Sequence, residues 1–144
     1  MASLSIRHDD DLSRRLAALE QIEGIVRARE WHTRADVRFA FEDESLHLVA
    51  VAKQTVLGCV LFHPDNAGGG RLFQMAVHAA MQGQGLGTQL VHRLEAELSA
   101  RGIERVALHA RSTAVAFYER LGYRCVGEPF IEVGLDHRIM EKTL

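Results

Sequence analysis

Leucine and isoleucine recur at helical spacing near the start of this chain. Leu12, Leu16, Leu19, Ile22 and Val26 lie three or four residues apart. That period predicts an amphipathic helix running from acidic caps at Asp9, Asp10 and Asp11 to about Arg29, with Gly24 as its weak point. Residues 3–8 before it predict a short strand. Residues 31–45 follow no clear period and predict a second short helix or a loop. The pattern then changes. Residues 46–52 and 56–62 are rich in strand formers and joined by Lys53-Gln54-Thr55, which predicts a hairpin. Residues 63–70 end in Gly68, Gly69 and Gly70 and predict a mobile loop. Residues 71–78 are apolar on both faces and predict a central strand. Leu86, Leu90, Val91, Leu94 and Leu98 return to helical spacing, and Gly102 ends that helix. Residues 105–110 predict a strand with Val106, Leu108 and Ala110 on one face. Residues 123–126 and 130–142 predict closing antiparallel strands that turn at Gly134-Leu135-Asp136.

A strand–helix–strand unit around residues 72–110 demands parallel strands there, because the crossover returns the chain in the same direction. The hairpins demand antiparallel pairs elsewhere. The expected class is therefore α/β, with a mixed central sheet and flanking helices. The 144 residues suit one domain, covering residues 1–144. Apolar residues at 47% and charged residues at 25% match ordinary globular proteins.

A net charge of −2 gives general nucleic-acid binding no electrostatic support. No apolar run approaches ~20 residues, so no membrane span is expected, and the polar N-terminus lacks a signal-peptide core. Cys59 and Cys125 form no C-x-x-C pair. Buried thiols in a reduced, cytoplasmic protein are the expectation. The eight histidines, at positions 8, 32, 47, 63, 78, 92, 109 and 137, show no metal-ligand spacing, so no metal is expected.

The most informative stretch is Gln82-Gly83-Gln84-Gly85-Leu86-Gly87-Thr88. It lies between an apolar strand pattern and a helix pattern. Glycines let a backbone turn sharply and approach a ligand, and the next helix N-terminus offers N–H donors and a positive dipole end. That combination suits phosphate. A dinucleotide fingerprint needs G-x-G-x-x-G and a Walker loop needs Gly-Lys-Ser/Thr, and neither is present. A second segment, Ser112-Thr113-Ala114-Val115-Ala116-Phe117-Tyr118-Glu119-Arg120-Leu121-Gly122-Tyr123, predicts a short helix. Ser112 or Thr113 would cap it and Gly122 would end it.

Gln82-x-x-Gly85-x-Gly87 resembles the Q/R-x-x-G-x-G/A pyrophosphate loop of the GNAT superfamily of N-acyltransferases. The second segment resembles the family's N-x-x-A-x-x-F/L-Y-x-x-x-G-F/Y element, matched at Ala114, Phe117, Tyr118, Gly122 and Tyr123. Arg111 stands where the family has Asn. The tail from Phe130 to Lys142 resembles the F-x-E-x-G-x-x-H-x-x-M-x-K pattern of a small bacterial subgroup. The resemblance covers roughly residues 46–143. It implies acetyl-coenzyme A as co-substrate, an amine acceptor and no metal. Members are often dimers, which leaves a homodimer open.

Carried over residue by residue, the resemblance assigns coenzyme A binding to two regions and one further side chain. One region is the loop Gln82, Gly83, Gln84, Gly85, Leu86, Gly87 and Thr88. The other is the strand Met75, Ala76 and Val77, where a bulge is expected. Phe117 joins them, while Arg111, which departs from the family's Asn, could reach the phosphates through its guanidinium or be a solvated charge at a strand end. Tyr118 matches the general acid. No residue of the pattern names the general base. His109, at a strand's C-terminal end beside the Tyr118 helix, is the best-placed candidate, ahead of Glu132 and His137. The acceptor is not specified. Glu42, Asp43, Glu44 and Glu132 could draw a cationic amine. The leading expectation is an acetyl-coenzyme A-dependent N-acetyltransferase. The rivals are a non-catalytic acyl-coenzyme A-binding or regulatory domain on the same fold, and a nucleotide-binding domain that shares only a glycine-rich turn.

Overall fold

The computed structural model describes residues 5–8, 45–52, 55–78 and 81–144. The helix expected over 9–29, the region 31–45 and the Lys53-Gln54 turn lie outside the described residues.

Among the described residues, seven strands form one mixed sheet: β1 (Ser5–His8), β2 (Leu46–Ala52), β3 (Thr55–Pro64), β4 (Gly69–Val77), β5 (Arg105–Arg111), β6 (Arg124–Glu132) and β7 (Leu135–Thr143). Their order across the sheet is β1-β2-β3-β4-β5-β7-β6. Only β4 and β5 run parallel, and helix α1 (Leu86–Ala100) connects them. The remaining pairs are antiparallel. The α/β expectation holds, and β4 is central, with three strands on either side.

Helix α1 covers one face of the sheet. Its buried stripe, Leu86, Leu90, Val91, Leu94 and Leu98, is the one its spacing predicts. It meets Leu48, Val60, Phe62, Leu72, Leu108 and Met140 in the core. Each fully buried leucine contributes about 1.5–3 kcal/mol relative to exposure. The helix ends as expected. Gly102 takes φ 78°, Gly102 N–H donates to Ser99 O and Ile103 N–H to Leu98 O, the two bonds of a Schellman stop.

Three expectations are corrected. Gly69 and Gly70 belong to β4, not to a mobile loop. A Cβ on Gly70 would run into the Phe62 ring and the His63 carbonyl, so that glycine is required by packing. The short helix has no side-chain cap. A 3₁₀ turn, Ser112–Ala114, leads directly into α2 (Val115–Arg120), and neither Ser112 nor Thr113 provides the capping bond. The last hairpin turns at Val133-Gly134, one residue earlier than expected, with Glu132 opposite Leu135.

Both turn residues have positive φ, 47° at Val133 and 74° at Gly134. That is the backbone of a type I′ turn, which Asn-Gly suits best. A β-branched residue there is strained. Val133→Asn is expected to raise stability by about 1 kcal/mol. Thermal unfolding should show a higher Tm, and an unchanged or lower Tm would mean the turn carries no such strain.

Candidate active site

The glycine-rich segment lies where β4 ends and α1 begins. Gly83 and Gly85 adopt φ of 79° and 82°, and a Cβ at either would meet nothing within 4 Å. Glycine is thus needed there for backbone conformation and not for room. Gly85 is the N-cap of α1. No side chain caps the helix, and no acidic residue stands in its first turn. The first turn of the helix therefore supplies no carboxylate to offset its positive end. Gln82 does not reach into the loop. Its amide donates to the Val77 carbonyl at 3.2 Å and ties the loop to the end of β4.

Two irregularities shape β4 just before this loop. Against β3, the register moves from Leu61–Phe73 to Cys59–Ala76, so Gln74 and Met75 together oppose Val60. That extra residue is a β-bulge, at the strand where one is expected. Against β5, pairing runs from Gly69–Arg105 to Leu72–Leu108 and stops. Strand β4 continues to Val77 and β5 to Arg111. The two parallel strands part at their C-terminal ends, the edge at which open α/β sheets hold ligands.

Phe117 packs beneath the loop. A Cβ on Gly87 would lie 3.2 Å from Phe117 Cζ and 3.2 Å from Met75 Cε, so the start of α1, β4 and α2 meet there. Tyr118 is buried, edge-to-face with Phe117 at 4.9 Å and with Tyr123 at 5.7 Å. Its carbonyl receives the Tyr123 N–H, and Gly122 at φ 95° completes the stop of α2.

The other face of the sheet carries His109. Its Nδ1 donates to Glu132 Oε1 at 3.0 Å, because a carboxylate can only accept. In the neutral ring this leaves Nε2 as the basic nitrogen. His137 Nε2 lies 3.6 Å from the other oxygen of Glu132, and its Nδ1 donates to Leu135 O at 2.8 Å. Arg71 Nη2 is 4.0 Å from Glu132 Oε1. Phe130 packs edge-on against His109 at 5.1 Å. Burial pushes the Glu132 carboxyl up, but the His109 hydrogen bond and the charges of His109, Arg71 and His137 together hold it below its ordinary value. Glu132 is thus engaged, rather than held open for a cationic amine. Glu42, Asp43 and Glu44 lie outside the described residues.

Strand pairing explains this grouping. His109 faces Ile139, Arg111 faces His137, and Phe130 also faces His137, so all lie on one side of β5, β7 and β6. Arg111, the last residue of β5, shares that side and leads into the 3₁₀ turn.

Two features were missed in the sequence. Arg71 and Phe73 alternate with Leu72 on β4 and share the His109 face, a signal present in the period-2 pattern but masked by calling the strand apolar. Glu95, on the buried stripe of α1, accepts from the Tyr123 hydroxyl at 2.9 Å and from Lys142 Nζ at 3.0 Å. Lys142 also donates to Leu121 O at 2.7 Å. This network locks the end of α2 to α1 and β7, and with burial it pushes the Tyr123 hydroxyl far above its ordinary value. Neither cysteine is in a disulfide. Cys59 is buried, its thiol pushed up to about 12 by desolvation, while Cys125 is only half-buried. Among the described residues no group of His, Cys, Asp and Glu is arranged to hold a metal, and no helix is long and apolar enough to cross a membrane.

Solved structures identify the class of this fold. A Lactobacillus plantarum protein provisionally described as an N-acetyltransferase is 26% identical, with TM-score 0.84 and 99% of each chain covered. The Escherichia coli ribosomal-protein-S18-alanine N-acetyltransferase shares the fold at 23% identity, with TM-score 0.83 over 98% of this chain and 94% of that one. The fold is that of the acyl-coenzyme A N-acyltransferases. The chain belongs to the GNAT acetyltransferase family: the Acetyltransferase (GNAT) domain model matches residues 15–144. A Bacillus subtilis (strain 168) protein provisionally named an acetyltransferase is 36% identical over 73 residues, 51% of this chain and 50% of that one. The chain spans about half the length of the curated relatives it matches.

Proposed function

We propose that this protein is an acetyl-coenzyme A-dependent N-acetyltransferase, acting on an amine as a single domain in the cytoplasm. The observation that carries the reading is the uncapped start of α1 behind Gly83 and Gly85, beside strands that part at their C-terminal ends. The loop N–H groups from Gly83 to Thr88 would hold the pyrophosphate. The edge of β4 from Met75 to Val77 would pair with the extended pantetheine arm, much as an added strand does. Phe117 would wall this channel. Arg111, at the same end of the sheet, would add a guanidinium for phosphate.

Two side chains would move protons. Tyr118 would give its hydroxyl proton to the departing sulfur, the role that its match to the family pattern implies. His109 would accept the amine proton at Nε2, with Glu132 holding the tautomer. The rival reading, an acyl-coenzyme A sensor, needs the loop but has no use for this His109–Glu132 pair.

Mass spectrometry of ligand carried by the purified protein, followed by acetylation of an amine panel, tests the reading. Bound acyl-coenzyme A without transfer to any amine would favour the sensor. Gly85→Asp places a carboxylate against the phosphates and forces a side chain into φ 82°. Calorimetry should show coenzyme A affinity falling at least about tenfold, the consequence of losing roughly one charge-assisted contact. Unchanged affinity in a folded variant would move the cofactor elsewhere.

A further inference from the structure

Arg71 has no part in the proton transfers proposed above, yet it is the most unusual charge on the His109 face. Its guanidinium lies 4.3 Å over the Phe73 ring. Its Nε is buried and makes no hydrogen bond. Among the described residues the carboxylate oxygen paired with it, Glu132 Oε1, is 4.0 Å away, outside hydrogen-bond range, and that same oxygen already accepts from His109. Burial lowers the Arg71 value and the Glu132 charge only partly offsets this. The side chain is only partly buried, but its Nε is a buried donor left unsatisfied, which costs stability, and the acceptor of a bound ligand would offset that cost.

The surroundings say which acceptor. Glu132 is one carboxylate shared by Arg71, His109 and His137. Among the described residues Glu132 is the one carboxylate in this group, so one more anion can enter without meeting an excess of their negative charge, whereas a cation would meet Arg71. Phe73, its ring centroid 4.3 Å from Arg71 Cζ, restrains the guanidinium, and a planar fork suits a carboxylate bound through two oxygens. Arg71 and His109 converge on one oxygen, so an anion on Arg71 sits beside the imidazole that would take the amine proton. Arg71 pairs with Ala107 on β5, and His109 is the next residue on that face, at the point where β4 and β5 part.

We propose that Arg71 is the acceptor-binding residue and that the acceptor is an amine carrying a carboxylate a few bonds from its nitrogen, a free amino acid in chemical class. The proposal rests on the acyl-transfer reading for the word acceptor, but the binding it asserts is separate. Polyamines and other cationic amines would be poor acceptors. An anion on Arg71 would also leave the amine end facing His109, which fixes the orientation productive for transfer.

The test is calorimetry on the full chain saturated with coenzyme A. The probes are a panel of N-acetyl amino acids, with α and β spacing of nitrogen and carboxylate, each beside its primary amide. At least one acid is expected to bind tenfold or more tighter than its amide. Arg71→Gln should shrink that ratio to within about threefold, and Arg71→Lys, which keeps the charge but not the fork, should lose most of it. Coenzyme A affinity should not change in either. Amides binding as well as acids, no acid binding at all, or a ratio that survives Arg71→Gln would each overturn the proposal. The wild-type comparison decides even if both variants fail to fold. Tight acid binding with no acetyl transfer to the parent amino acids would retain the carboxylate site and overturn only the transferase reading.

Discussion

Tyr118→Phe is expected to lower kcat by on the order of 10-fold to 10³-fold and to leave coenzyme A affinity nearly unchanged. The substitution removes one hydroxyl. The ring keeps its edge-to-face contacts with Phe117 and Tyr123, and the Tyr118 carbonyl keeps the Tyr123 N–H that closes α2. The cofactor contacts proposed for the loop come from backbone elsewhere, so KM for acetyl-coenzyme A should stay within about twofold. The loss is bounded because a thiolate leaves well even when water supplies the proton. A tyrosine that only packs would give the reverse result, a lower Tm with kcat intact. The neighbouring Tyr123 has that packing role: its hydroxyl is committed to Glu95 in a buried network. Measuring Tm and kcat on one preparation separates the two roles, and wild-type kcat in the variant would remove Tyr118 from the chemistry.

The strands and α1 were legible because each carries one strong period. Leu86 to Leu98 has a single apolar stripe, and Val106, Leu108 and Ala110 alternate with half-buried neighbours. The glycine-rich turn was legible because conformations at φ near 80° leave few residues to choose from. The misreadings have physical causes. Gly69 and Gly70 look like a loop by composition, but at Gly70 the Phe62 ring and the His63 carbonyl fill the space of a side chain, a tertiary fact that no local pattern carries. Val133 hid the final turn because a β-branched residue is a poor choice at positive φ. The bulge at Gln74 and Met75 was expected from resemblance alone. Its existence depends on how β3 is registered, which the sequence of β4 does not encode. For the site, the Glu132 pairing was the hardest part to anticipate. His109 and Glu132 are 23 positions apart and meet only because β7 lies between β5 and β6. Arg71 needed one step more, the parallel register that puts it beside Ala107.

That register gives the other large effect. His109→Gln is expected to lower kcat by about 10² to 10⁴, the range for loss of a positioned general base. Glutamine can still donate to Glu132 through its amide, so the pairing at the hairpin is retained while the basic nitrogen is removed. Glu132→Gln tests the layer behind it. A neutral amide holds the His109 tautomer less firmly, and kcat should fall by roughly tenfold with coenzyme A affinity unchanged. The pH profile adds a discriminating readout. The Glu132 carboxyl titrates below its ordinary value of about 4.5, so it is ionised throughout the neutral range and is lost only as pH falls through that lowered value. Glu132 itself then contributes no limb to the kcat profile near neutral pH, and Glu132→Gln should leave the shape of the profile there unchanged. A His109→Gln variant that keeps kcat within about threefold would assign the proton to another acceptor and leave His109 a partner of Glu132 alone.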